Sequence, residues 1–167
     1  MDARERSQSS NVGSRWISRI MVAADGSPAS RHGLEQAANF APGIGASVTV
    51  VFVRHLPTAA LVAPGVTNQP VLESLDEQES VVRREAVRIL GGTGVDWDFV
   101  VRDGSPGEEL VKAVAETGAD LVVVGSNRHS SLHNLFLGST AAYLTAHSPA
   151  PVLVMRVKKP APVPAAV

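Results

Sequence analysis

The stretch richest in groups that do chemistry is "VVVGSNRHSSLHNLFLGSTAAYLTAH", residues 122–147. An apolar run ends at Gly125, a polar loop with Arg128, His129 and His133 follows, and Gly138 opens a helical pattern carrying Ser139 and Thr140. Glycine followed by short hydroxyl residues at a helix start exposes backbone N–H groups beside the positive end of the helix dipole. That is the chemistry of a phosphate or other anion site. The same residues also serve as plain helix caps, so this stretch alone leaves both readings open. The two histidines either add positive charge below neutral pH or are solvated loop residues.

A second pattern is Asp-Gly-Ser-Pro, at residues 25–28 and again at 103–106, each time between an apolar run and an amphipathic one. Ser27 and Ser105 stand as N-caps and Pro28 and Pro106 as first helical residues, while Glu108, three positions after Ser105, completes a capping box. Capping accounts for Gly, Ser and Pro in both copies. It leaves the carboxylates of Asp25 and Asp103 unassigned.

These groups need a scaffold, and the rest of the chain supplies one. "WISRIMVA", "ASVTVVFV", "VDWDFVV", "DLVVV" and "PVLVMRV" are five short Val/Ile-rich runs, several of them nearly continuous, as strands covered on both faces should be. Helical patterns separate them: Leu34, Ala37, Ala38 and Ala41 share one face after the first strand, and Val82, Ala86 and Ile89 share one within "LDEQESVVRREAVRIL". "GEELVKAVAETG" and "STAAYLTAHSP" follow strands three and four. Alternation of strand and helix predicts an α/β fold, a doubly wound open parallel sheet with helices on both faces. Both DGSP copies then sit where a strand's carboxyl end turns into a helix.

With 167 residues, 44% hydrophobic and 19% charged, the chain has the size and core of one domain. A net charge of −1 supplies no field for nucleic acid or an anionic membrane, and neither is expected as a partner. The absence of cysteine excludes disulfides, thiolate catalysis and Cys-ligated metal. The opening "MDARERSQSSNVGSR" lacks the apolar stretch of a signal peptide and no run reaches membrane-spanning length, so a soluble cytoplasmic protein is expected. The segment "RHLPTAALVAPGVTNQP" fits neither period and leaves from the carboxyl edge of the sheet, which makes a lid, a mobile loop or a partner contact of it. The division is a flexible segment over 1–15, a domain over 16–157 and a disordered Pro/Ala-rich tail over 158–167.

The chain resembles the universal stress protein family. Nucleotide-binding members carry, at the end of strand four, a glycine, two residues, a second glycine, nine residues, then glycine and Ser/Thr. Here Gly125, "SN", Arg128, "HSSLHNLFL", Gly138 and Ser139 keep that spacing. "ISRIMVAADGSPASRHGLEQA", "VTVVFV", "GSPGEELVKAVAETGADLVVVGS" and "LGSTAAYLTAHSPAPVLVMR" look like the family's other blocks, so the resemblance runs from about Ile17 to Arg156. It implies an adenine nucleotide alpha-hydrolase-like sheet with strand order 3-2-1-4-5, whose ligand crevice lies at the carboxyl ends of strands one and four. Asp25 then belongs to the site, and Asp103, at the sheet edge, to a capped turn.

By that resemblance, Asp25 and the backbone of Val53 would face the adenine and ribose. Gly125, Asn127, Arg128, Gly138, Ser139 and Thr140 would hold the phosphates of ATP or a related adenine nucleotide, with Mg²⁺ carried by the phosphates. "PVLVMRV", with Pro151 and Val157 at its ends, would be the edge that pairs with a second copy in a homodimer. Arg128 departs from the pattern, standing where the family has its second glycine: either its guanidinium contacts the phosphates or it fills the pocket. The implied function is an ATP-binding, dimeric stress-response regulator. The alternative is an interaction module that binds no nucleotide and docks an unknown protein partner. An efficient hydrolase would need a positioned general base or an activating lysine in a glycine-rich loop, and at most slow ATP hydrolysis is expected. A phosphorylatable receiver would need a pair of acids after strand one, where "AADGS" offers one, and a flavin site would need a Gly/Thr-rich phosphate loop there.

Overall fold

The computed structural model describes residues 17–55, 69–126 and 137–157. The elements run β1 (Arg19–Ala23), α1 (Pro28–Ile44), β2 (Ser47–Arg54), α2 (Gln69–Leu90), β3 (Trp97–Asp103), α3 (Pro106–Thr117), β4 (Leu121–Ser126), α4 (Ser139–His147) and β5 (Val152–Arg156). Every strand pair is parallel, and the sheet order is β3-β2-β1-β4-β5. This is the doubly wound arrangement that the alternation of strands and helices predicts, with the strand order that the family resemblance implies.

Side chains that alternate along the central strands feed two separate cores, one on each face of the sheet. Ile20, Val22, Val48, Val50 and Val123 pack with Leu34, Ala37, Ala38 and Ala41 of α1 and Val82, Ala86 and Leu90 of α2. Met21, Ala23, Val51, Val122 and Val124 pack with Leu110, Ala113 and Val114 of α3 and Ala141 and Leu144 of α4. Burial on both faces is the reason these strands are continuous in Val and Ile. Helix α2 begins at Gln69, earlier than its apolar pattern suggests, with Pro70 in the first turn, where a missing N–H costs nothing. The segment 56–68 between β2 and α2 lies outside the described residues, as do 1–16, 127–136 and 158–167. No helix among the described residues is long and apolar enough to cross a membrane.

The two DGSP turns fold differently. Ser27 caps α1 as expected, its hydroxyl accepting the Ser30 N–H at 3.2 Å. At α3 the capping box does not form: the Ser105 hydroxyl makes no bond to the first turn, and only its carbonyl is used, accepting the Glu109 N–H at 2.9 Å. Glu109, the residue after the expected box acid Glu108, pairs with Arg102 at 3.0 Å and Lys112 at 2.6 Å. Arg102 also forks onto Glu116 at 2.7 and 2.9 Å, which ties edge strand β3 to α3.

At the opposite end of the sheet, one Asp120 oxygen accepts three hydrogen bonds, from the Ser18 N–H, the Ser18 hydroxyl and the Arg19 N–H, each 2.9 Å. The Ser18 N–H and hydroxyl, with the Arg19 N–H, hold this carboxyl below the usual aspartate range. A carboxylate with a depressed pKa stabilises the fold fully above its unfolded value and loses that contribution as the pH falls through the folded one. Asp120→Asn is therefore expected to melt earlier than the parent at neutral pH. The gap should close as the pH drops below the ordinary value of about 4. Thermal melts across pH check this, and a gap that persists in acid would mean that the carboxylate charge is not what matters.

Candidate functional site

The helices that follow β1 and β4 lie on opposite faces of the sheet, α1 on one and α4 on the other. The opening between them is a cleft of about 140 Å³ lined by Ala23, Ala24, Asp25, Ser30, Val51, Val53, Pro106, Leu110, Val124, Gly125 and Thr140. Its floor is aliphatic, from Ala23, Val51, Val53, Leu110 and Val124, and its polar groups gather at the rim. The described walls enclose less than the roughly 300 Å³ usual for a whole small-molecule site, so they suit one end of an elongated ligand.

Asp25 is exposed at this rim. Its Oδ1 accepts the Ser27 N–H at 2.9 Å, an Asx turn that fits the positive φ of +80° at Gly26. This gives the carboxylate a local role that the sequence had left unassigned. It occupies one oxygen only. Ser30 reinforces the turn: it is 4% exposed, its hydroxyl donates to the Ser27 carbonyl at 3.1 Å, and it accepts the Asp25 N–H at 3.3 Å.

Val53 is placed by register. Pairing of β1 with β2 ends at Ala23 opposite Val51, and the last bond runs from the Ala24 N–H to the Val51 carbonyl at 2.9 Å. In a strand, the N–H and C=O of one residue point the same way and alternate from residue to residue. The N–H and C=O of Val53 therefore point to the β1 side, as those of Val51 do, but beyond the place where β1 has turned away into Asp25. A donor and an acceptor thus stand side by side at the cleft, with no strand opposite among the described residues.

Gly125 has a reason the sequence did not reveal. A Cβ there would lie 2.4 Å from the Ser30 nitrogen and 2.5 Å from the Ala29 carbonyl carbon. Its lack of a side chain is what lets the first turn of α1 close onto β4. Gly138 is the contrary case, with an ordinary φ of −54° and, among the described residues, nothing within 4 Å of where a Cβ would stand. Among the described residues no side chain caps α4, and no acid sits in its first turn, which leaves the N–H groups beside Ser139 and Thr140 with positive character there.

Thus Asp25, Val53, Gly125 and Thr140 meet at one cleft, with Gly138 and Ser139 at the entrance of the helix that carries Thr140. Asn127, Arg128, His129 and His133 lie outside the described residues. Sequence reasoning missed Ser30, Pro106 and Leu110. Pro106 belongs to the second DGSP copy, so that copy is more than a turn: its Asp103 stays at the sheet edge, while its proline helps to wall the cleft. Nothing in local sequence marks that proline as a cleft residue, because it arrives there through helix packing. Ser126, next along β4, buries a hydroxyl that has no hydrogen-bond partner among the described residues.

Residues 17–156 match the model of the universal stress protein family. The chain belongs to the universal stress protein family. Universal stress protein YxiE of Bacillus subtilis is 29% identical over 148 residues, covering 84% of this chain and 99% of its own. A universal stress protein structure from Burkholderia pseudomallei superposes with a TM-score of 0.68 at 26% identity, covering 84% of this chain and 96% of that one. A universal stress protein crystallised in complex with cAMP superposes with a TM-score of 0.60, also at 26% identity, covering 84% and 97%.

Proposed function

We propose that this universal stress protein binds an adenine nucleotide, ATP or a close relative, with its base in the cleft and its phosphates directed to the start of α4. The observation that carries the reading is the N–H and C=O of Val53, which have no partner among the described residues, above an aliphatic floor. Adenine presents an amino donor among ring-nitrogen acceptors, a pattern that such a pair can satisfy, whereas guanine has an acceptor at O6 where adenine has the donor. The second oxygen of Asp25, a residue of the cleft rim, would accept ribose hydroxyls. The uncapped N-terminus of α4, with the Ser139 and Thr140 hydroxyls, suits phosphate. The cAMP complex of a relative supports the choice of adenine.

Among the described residues no three His, Cys, Asp or Glu side chains converge, so Mg²⁺ would arrive on the phosphates of the ligand. Among the described residues β5 is a sheet edge, with Leu153 in it and Val157 just after it exposed at 39% and 53%, which suits pairing with β5 of a second copy. We read the whole as a cytoplasmic, dimeric regulator whose bound nucleotide is its signal, rather than as an efficient enzyme.

Calorimetry with Mg·ATP and Mg·GTP tests the reading. ATP is expected to bind about 100-fold more tightly, because a mismatched base leaves the Val53 groups unpaired. Equal affinities would mean that the base does not meet Val53. No heat at millimolar ATP would reject nucleotide binding and favour the interaction-module alternative.

A further inference from the structure

Two of the cleft's walls come from helices that barely share a strand. Pro106 and Leu110 lie on α3, Thr140 on α4, and α4 leans mainly on α3 rather than on β4 or β5. The place where the two helices touch is therefore what spaces those walls.

That place is Gly107 against Tyr143. A Cβ on Gly107 would lie 2.7 Å from Tyr143 Cδ1, 2.8 Å from its Cγ and 3.1 Å from its Cβ, so the tyrosine sits directly on glycine backbone. The His147 ring stacks on the tyrosine, centroids 4.1 Å apart and planes 19° from parallel, and His147 Nδ1 lies 2.9 Å from the Tyr143 carbonyl oxygen. The aromatic ring is held between one helix and the next turn of its own. Gly107 immediately follows Pro106, and Tyr143 lies three residues after Thr140, on the same side of α4. Each partner of the contact is thus one short step behind a cleft-lining residue, and neither lines the cleft itself.

We infer that Tyr143 is a positioning residue: seated on Gly107, it sets the separation of Pro106 from Thr140 and so the width of the cleft between base and phosphate. The inference rests on the nucleotide reading for its effect on binding, and on geometry alone for its effect on the helices. A site that must hold its groups to about 0.5 Å is sensitive to such a spacer. The ring, not the hydroxyl, does the spacing.

The experiment measures Mg·ATP affinity by calorimetry and melting temperature for the parent, Tyr143→Phe, Tyr143→Leu, Gly107→Ala and the double variant Gly107→Ala/Tyr143→Leu. Tyr143→Phe is expected to bind as the parent does. Tyr143→Leu and Gly107→Ala should each weaken binding on the order of tenfold. The double variant should recover most of the loss, because the added methyl occupies space that the ring gave up. Tyr143→Leu, at a partly exposed position, carries the test if Gly107→Ala does not fold. Single variants that shift the melting temperature but leave affinity unchanged would overturn the inference. So would losses that simply add in the double variant, or a Phe variant as impaired as the Leu variant. Crystal structures of the parent and Gly107→Ala supply a readout without ligand, an increased Pro106–Thr140 separation; an unchanged separation overturns the inference. If the parent binds no ATP, the nucleotide reading fails, and that separation still decides whether Tyr143 sets the spacing.

Discussion

Gly125→Ala is expected to lower the unfolding free energy by about 3 kcal/mol, at the upper end of what overpacking costs. The added methyl would meet the Ser30 nitrogen at 2.4 Å and the Ala29 carbonyl carbon and oxygen at 2.5 and 2.9 Å. These are backbone atoms in the first turn of α1, so no side-chain rotation relieves them. The helix end must lift from β4, and its inner face, with Leu34 and Ala37 buried at 2% and 0%, loses contact with the sheet. The same shift moves Ser30 and the Asp25 turn that Ser30 braces, so ligand binding should fall with stability. Urea unfolding measures the first effect. An unchanged midpoint would show that α1 slides without cost and that close approach is not why glycine stands here.

Asp25→Asn separates the turn from the site. Asparagine keeps an amide oxygen for the Ser27 N–H that Oδ1 now accepts, so stability should stay within about 0.5 kcal/mol of the parent. What is lost is the charge and one acceptor at the cleft rim, where, under the proposed function, an amide donor would then meet the ribose hydroxyls. A hydrogen bond to a charged group contributes about 1.5–3 kcal/mol, so nucleotide affinity should fall about 10- to 100-fold. Calorimetry beside thermal melts reads the two effects separately. An Asn variant that binds like the parent would reduce Asp25 to a turn residue. One that melts much earlier would mean that the charge itself serves the fold.

The Gly125 and Asp25 variants probe residues that the sequence had already singled out, yet for Gly125 the structure changes the reason. As a motif glycine it reads as a point of phosphate approach; in the fold it is the point where helix α1 meets strand β4. Spacing along a chain records that a side chain is excluded. It does not record which neighbour excludes it. The capping box at Ser105 shows the same limit. Its residues are correctly spaced, yet the Ser105 hydroxyl makes no bond to the first turn of α3, and only the Ser105 carbonyl is used.

By itself the sequence determined the order of strands and helices, because continuous Val/Ile runs and 3.6-residue apolar periods are local signals of burial on two faces and on one. It also determined that both DGSP segments turn a strand into a helix, since Gly, Ser and Pro act through their own backbone preferences. Only the tertiary structure decided that the Val53 backbone outruns its β1 partner, that Pro106 helps to wall the cleft, and that Tyr143 is seated on Gly107. Those facts depend on where β1 stops relative to β2 and on which helices share a face of the sheet. Such relations join residues far apart in the chain through packing, and no local pattern encodes them.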